Sequence, residues 1–304
     1  MALADDGPLL HLLEVDGTSS GYVGSVEGGW GIADVIEEPS PTGIKKRPGP
    51  PRWDELELRL ALPVARPVFE WIAAAWRREV QAKDLLVTTV DGEGNVLRRR
   101  EFRNALLTAT TISGMEPHIG PGPLPLGGPG LATLRLLPQH TRTTLPGGTV
   151  SPPSHQDPVL LHHRLELSGL DCRQVMVEEF TVQQAFGSVI ADRPGLRVWR
   201  EPGRLSFPNL TITVAEASAG DWQRWFENFV LQGYNNDTRE KTGTLTLLNL
   251  REQEQARIGL FNVGIFQLIG PTVWLDRSKQ TGQLEHATRV VARLYSERME
   301  FTLP

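Results

Sequence analysis

The sequence predicts a mainly β protein made of two successive modules, each with one α-helix laid against its sheet. Three observations carry that expectation. Thirty glycines and 23 prolines among 304 residues favour many short elements separated by turns over long helices. Several segments alternate apolar and polar residues with the period of two that a half-buried strand requires. The order of segments in the first half then recurs in the second, which is the signature of an internal repeat.

In the first module, LLEVDG near residue 12, a turn and a second strand lead to a long polar hairpin from Glu37 to Pro51. WDELELRLAL follows as the clearest strand, with Leu56, Leu58, Leu60 and Leu62 alternating with Glu55, Glu57, Arg59 and Ala61. Pro67 can open a helix at its first turn, and Phe69, Ile72, Ala73 and Trp76 recur at helical spacing, so this helix lies on the sheet. The cluster Asp91-Gly92-Glu93-Gly94-Asn95 separates two strand-like runs as a hairpin connection does, and the second run continues through FRNALLTATTISG. LATLRLL closes the unit.

The second module opens with RLELSGLDCRQVMVEEF near residue 164 and a polar hairpin from Ala191 to Arg204. FPNLTITV then sets Leu210, Ile212 and Val214 on one strand face and Thr211 and Thr213 on the other. Ser218 and Asp221 have capping-box spacing before a helix whose apolar face is Trp222, Trp225, Phe226 and Phe229, with Trp225 in the place of Trp71. A hairpin and strand over KTGTLTLLNLREQEQARIGLFNVGIFQLIG bring Phe261 and Asn262 opposite Phe102 and Asn104, and HATRVVARL ends the unit. The modules are assigned to residues 9–137 and 159–304. The Pro/Gly-rich residues 138–158 form an extended linker between them, and the Gly/Pro stretch 116–130 is a loop within the first module.

Composition narrows the chemistry. A net charge of −5 argues against a basic nucleic-acid face, and Lys45-Lys46-Arg47 and Arg98-Arg99-Arg100 read as solvated charge. The most apolar stretch, Gly259 to Leu275, is broken by Asn262, Gln267 and Pro271 and falls short of the roughly 20 apolar residues of a spanning helix. Asp5 and Asp6 stand where a signal peptide carries positive charge, so cytoplasmic synthesis without a membrane anchor is expected. Cys172 is the single cysteine and reads as packing. His155, His162 and His163 lack the ligand spacing of a zinc site and read as solvent-exposed, and neighbours on a strand point to opposite faces. The carboxylate pairs Glu37-Glu38 and Glu178-Glu179 adjoin polar turns with no aromatic platform for a sugar. No phosphate-cradling or dinucleotide motif is present. No catalytic, cofactor or metal residue is therefore assigned. Of eight tryptophans, Trp53, Trp71, Trp76, Trp222 and Trp225 fall on faces that pattern buries, leaving Trp30, Trp199 and Trp274 as contact residues.

The segment order, from LLEVDG through the KKRPGPP hairpin, WDELELRLAL and the FEWI helix, then again from RLELSGL through LTITV, DWQRWFENFV and FNVGIFQLIGPTVWLDR, resembles the tail tube proteins of contractile phages and phage tail-like contractile injection systems. The resemblance covers nearly all of the chain as a tandem duplication of the tube module. It implies β-barrel or sandwich modules flanked by one helix, joined side by side around a hollow channel, and a structural subunit of the inner tube or tube–baseplate junction. It also implies partners: copies of the chain itself in a ring of three or six, the tail tube, sheath and baseplate or hub proteins, and nucleic acid or effector only as lumen cargo. The long hairpins would touch neighbouring rings. Assembly contacts are expected at Trp30, Lys45, Lys46, Arg47, Arg197, Trp199, Arg200 and Trp274. The protein would thus be a component of a virion or injection particle. The alternative is a two-domain β-rich binding protein that does not polymerise and takes a ligand in the loop 116–130.

Overall fold

The computed structural model describes residues 9–60, 65–113, 132–150, 161–189, 199–249, 252–275 and 286–304. The first module supplies β1 (Leu10–Val15), β2 (Thr18–Gly28), β3 (Gly31–Ser40), β4 (Gly43–Trp53), β5 (Leu56–Leu60), α1 (Arg66–Trp76), β6 (Lys83–Val90), β7 (Val96–Ile112), β8 (Ala132–Leu137) and β9 (His140–Thr144). Asp16 and Gly17, both at positive φ, make the tight turn between β1 and β2. Six of these strands close on themselves: β1 pairs with β2, β2 with β5, β5 with β8, β8 with β7, β7 with β6, and β6 with β1. Closure removes the exposed edges that an open sheet of this size would present.

The second module supplies β10 (Leu161–Leu167), β11 (Val175–Val177), β12 (Phe180–Val189), β13 (Trp199–Ser206), β14 (Leu210–Ala215), α2 (Gly220–Phe226), β15 (Lys241–Asn249), β16 (Glu254–Leu275) and β17 (His286–Thr302). The sheet runs β10-β15-β16-β17-β14-β11. Its ends are brought together at a seam where the His163 ring Nε2 accepts a hydrogen bond from the Val177 N–H at 3.1 Å. The two rings follow one circuit. Reading β1, β2, β5, β8, β7, β6 around the first gives β10, β11, β14, β17, β16, β15 around the second.

The correspondence extends to irregularities. Asn104 in β7 and Asn262 in β16 both sit in the left-handed region, at φ 48° and 51°. The β7–β8 ladder slips between Leu107 and Ala109, and the β16–β17 ladder slips between Ile265 and Gln267. The β3–β4 hairpin slips between Ala33 and Val35, and the β12–β13 hairpin between Gln184 and Phe186. A β-bulge re-aims the strand that carries it, so bulges at matching places give matching barrels.

The core is the one the alternation predicts. Leu56, Leu58 and Leu60 are buried, as are Leu210, Ile212 and Val214. Pro67 stands in the first turn of α1, whose Val68, Phe69, Trp71, Ile72 and Trp76 are buried. At about 25 cal/mol per Å² of apolar surface, such a face stabilises far more than helix propensity does.

Several expectations need correction. The hairpins begin earlier than read: β3–β4 spans Gly31 to Trp53, not Glu37 to Pro51, because its first strand pairs fully before the polar tip. Likewise β12–β13 starts at Phe180, and the 191–198 part of the expected hairpin lies outside the described residues. Residues 140–144 of the expected linker form β9, which pairs with β7 from Arg99↔Thr144 to Arg103↔His140 and so ties this stretch to the first barrel. The loop 116–130 and the 151–158 end of the linker lie outside the described residues. Thr213, expected on the wet face, is buried. No side-chain cap forms at α2: Asp221 pairs with Arg224 in the first turn, and Ser218 ends a short 3₁₀ turn. Leu260, not Phe261, takes the place of Phe102, since Leu260 pairs with Gly243 as Phe102 pairs with Leu85. Phe261 instead turns outward beneath Arg298, whose guanidinium lies 4.0 Å from the ring centre.

Candidate assembly interface

The two barrels are joined by strand pairing. On the β7 edge, β6 pairs with residues up to Ala105, and beyond its end β12 takes over antiparallel, from Phe180↔Ile112 to Gln183↔Ala109. Thr111 Oγ1 and Thr181 Oγ1 lie 2.8 Å apart across this joint. Beside it, α1 of the first module packs on the second barrel. Phe69 stacks on Phe301 at 6.0 Å between ring centres, and Trp76 meets Phe301 at 5.5 Å and Phe207 at 6.3 Å edge to face. Backbone ladder and aromatic cluster together make a joint that is continuous with both cores.

Both kinds of element recur elsewhere in the chain. The β3–β4 hairpin is a two-stranded sheet whose strands, among the described residues, pair only with each other. It exposes Val35, Ile36 and Ile44, with Trp30 at its base half exposed. On β16, β15 pairs as far as Val263, and among the described residues no strand continues along that edge. Phe266 and Ile269 are exposed there. An unpaired edge with exposed apolar side chains is a template for another chain.

Polar groups brace the hairpin. Glu37 pairs with Lys46 at 2.6 Å, Glu38 with Arg47, and Asp34 with Arg52 at 2.9 Å. The Arg52 guanidinium holds the Asp34 carboxyl below the usual carboxylate range. These pairs are exposed, so each adds little stability. They fix the cross-strand register and keep the extended edge charged.

The predicted contact residues divide. Trp30 lies at the base of the hairpin, and Lys45, Lys46 and Arg47 lie near its tip. Arg200 is in β13, next to Trp199. Trp199 and Trp274 are in strands β13 and β16, and Arg197 lies outside the described residues. The fold thus puts Trp30 and the basic triplet on one hairpin and Trp274 on the β16 edge.

Other expectations change. Arg100, read as solvated charge, is 2% exposed. Its guanidinium stacks 4.1 Å from the Trp30 ring centre and 4.8 Å from that of Phe102, and its Nη2 donates to the Gly28 carbonyl at 2.5 Å. Burial, and secondarily the charge of Arg98, lower its pKa. Trp53, expected in the core, is half-buried and packs on the His140 ring at 5.1 Å, because β9 covers one of its faces only. His163, read as solvent-exposed, is half-buried at the barrel seam. Cys172 packs against the core, and burial raises its thiol pKa. Among the described residues no cluster of three or more His, Cys, Asp or Glu side chains could hold a metal ion. None of the helices described is long and apolar enough to cross a membrane.

Sequence reasoning missed Arg100, Phe266 and Ile269. Their signal was weak: a basic triplet looks the same solvated or buried, and a free edge is defined by what does not pair with it.

No family model and no curated protein matches the chain. Solved structures do. The chain is similar to components of contractile injection systems. One is a chain of the sheath–tube complex of the extracellular contractile injection system PVC in its extended state, at 18% identity and a TM-score of 0.36, covering 47% of this chain and 92% of that one. Another belongs to the tube-terminating cap of the anti-feeding prophage, at 19% identity and a TM-score of 0.38, over 48% of this chain and 95% of that one. A third comes from the six-fold symmetrised baseplate of the same prophage, at 12% identity and a TM-score of 0.34, over 47% and 97%.

Proposed function

We propose that this chain is a structural subunit of a phage-tail-like particle, a tandem duplication whose two barrels occupy neighbouring positions in a ring of the inner tube or tube–baseplate junction. The observation that carries the reading is the joint itself. Two barrels with one strand circuit and matching bulges sit side by side, linked by strand pairing between β12 and β7. Side-by-side pairing of like barrels is a heterologous contact, and repeated heterologous contacts close into a ring when the rotation allows.

The number of chains in the ring decides how many wall positions each contributes, two in a ring of three chains and one in a ring of six. Three chains make a ring of six barrels, and six chains make a ring with one barrel of each in the wall and the other outside it. The hairpin tips with Lys45, Lys46 and Arg47 reach a neighbouring ring, and sheath, hub or baseplate proteins cover the outer surface. Nucleic acid or an effector passes through the channel without a dedicated site on the chain.

Negative-stain imaging of the purified protein over a concentration series tests this. Rings or short tubes with a central channel are expected. Isolated two-lobed particles at every concentration, with or without purified tube protein added, would contradict the reading.

A further inference from the structure

We propose that the row His11–Thr89–Arg98 on the first barrel, with Arg100 beside it, is a binding site for a phosphate group. The site belongs to no assembly contact described above, and its occupancy does not depend on ring formation.

Three strands put the row together. His11 of β1 pairs with Thr89 of β6, and Thr89 pairs with Arg98 of β7, so the three side chains stand side by side on one face of the sheet. Arg100 lies two residues on along β7 and shares that face, while Arg99 between them belongs to the other. Thr89 is 4% exposed, and His11 and Arg98 are half-buried. The row is therefore sheltered at its centre and reachable at both ends.

Charge on this face is uncompensated. Other arginines of the barrel are paired: Arg103, on the same strand, meets Asp84 at 2.7 Å and Glu101 at 3.1 Å, and Arg135 meets Glu57 at 3.2 Å. Among the described residues no carboxylate forms an ion pair with Arg98 or Arg100, and the Nε of each is buried without a hydrogen-bond partner. Arg100 is 2% exposed, and what it touches is two aromatic rings and the Gly28 carbonyl. Asp54 favours its charge from a distance, but the Asp54 Oδ1 accepts the Trp30 N–H. A buried charge is costly unless it is paired. Burial first, and then the charge of Arg98, lower the pKa of both Arg100 and His11, so the groups of this face repel one another as they stand. An anion seated among them turns that repulsion into attraction.

The row also holds a spare donor. His11 Nδ1 and Thr89 Oγ1 lie 3.1 Å apart and share one hydrogen bond. Either tautomer of a neutral imidazole leaves a proton over: if the hydroxyl donates to Nδ1, the Nε2–H remains, and if Nδ1–H donates to the hydroxyl oxygen, the hydroxyl proton remains. Neither side chain makes another hydrogen bond among the described residues. That donor stands beside the Arg98 fork, and a guanidinium grips phosphate through two parallel N–H bonds. A phosphate group with a charge of about −1.5 to −2 matches two unpaired arginines, where a carboxylate would leave one of them uncompensated.

Isothermal titration of inorganic phosphate into the full-length protein, at neutral pH and with ionic strength held constant by chloride, tests the site. Saturable binding of one phosphate per chain is expected, with acetate binding far more weakly. Arg98→Gln is expected to weaken the affinity about ten- to a hundredfold, the loss of a charge-assisted contact. Arg98→Lys, which keeps the charge and loses the fork, is expected to weaken it by less, and it carries the test if circular dichroism shows Arg98→Gln unfolded. Arg99→Gln, on the opposite face, is expected to bind as the wild type does. Glycerol 3-phosphate in place of phosphate separates the two sources of the group: equal affinity means a phosphate borne on a larger molecule, and weaker affinity means the free ion. No saturable heat, an affinity unchanged in the folded Arg98 variants, or acetate binding as tightly as phosphate would overturn the assignment. None of these results bears on the native mass of the assembly, so the ring reading stands or falls separately.

Discussion

Phe69, on the helix of the first module, stacks at 6.0 Å and 21° on Phe301, near the end of the last strand of the second barrel. The contact joins the helix of the first module to the last strand of the second, and Phe301 is 1% exposed. The two barrels therefore share core as well as a backbone ladder, and their stabilities are coupled.

Phe301→Ala is expected to destabilise the protein by about 3–5 kcal/mol, the range for removing a buried aromatic ring. Because Trp76 packs edge to face on the same ring, loss of Phe301 also loosens the joint. Urea unfolding followed by tryptophan fluorescence and by far-UV circular dichroism checks both points. The wild type is expected to give coincident transitions, and the variant two separated ones.

Arg100→Ala removes a guanidinium that fills the space between Trp30 and Phe102 and donates to the Gly28 carbonyl. Losing a desolvated cation–π contact and a charge-assisted hydrogen bond is expected to cost about 2–3 kcal/mol. Denaturant midpoints report the cost. Acrylamide quenching is expected to increase as Trp30 loses its cover.

Asn104 and Asn262 hold the left-handed backbone that turns β7 and β16 at matching points. An L-residue with a Cβ pays roughly 1–2 kcal/mol there, and asparagine and glycine pay least. Asn104→Ala and Asn262→Ala are expected to lower stability by about 1 kcal/mol each, and Asn104→Gly to be near neutral. Thermal unfolding of the three variants decides the ordering.

Asp84 is expected to contribute to the acid sensitivity of the fold. Its carboxylate accepts the Asn104 N–H at 2.8 Å and an Arg103 N–H at 2.7 Å, and these hold its pKa below the ordinary value against the opposing effect of burial. A carboxyl with a depressed folded-state pKa stabilises the fold above its unfolded pKa of about 3.9 and loses that contribution as pH falls through the lower, folded value. Asp84→Asn is expected to flatten the fall in urea midpoint below about pH 4. An unchanged slope would move the acid sensitivity elsewhere.

Much of the fold was legible in the sequence, because alternation at Leu56, Leu58 and Leu60 and at Leu210, Ile212 and Val214 is set by the two-residue period of a strand. The helices were legible through Pro67 and through the Trp222–Phe229 face. What stayed hidden is what depends on distant partners. Nothing in HTRTT says that β9 will pair with β7, and nothing in FTVQ says that β12 will leave its own barrel for the neighbour's edge. Arg100 and Trp53 were misplaced for the same reason, since burial of a basic or amphipathic side chain is decided by what covers it. Trp30 falls outside the apolar faces of the pattern, and the fold leaves it half exposed at the base of the β3–β4 hairpin.

The most direct test of the central proposal is the native mass of the assembly formed by full-length protein. Closed species of three or six chains, with no continuous distribution between them, are the expected result. A single-chain mass at every concentration, unchanged when purified tube, hub or sheath protein is added, would contradict it.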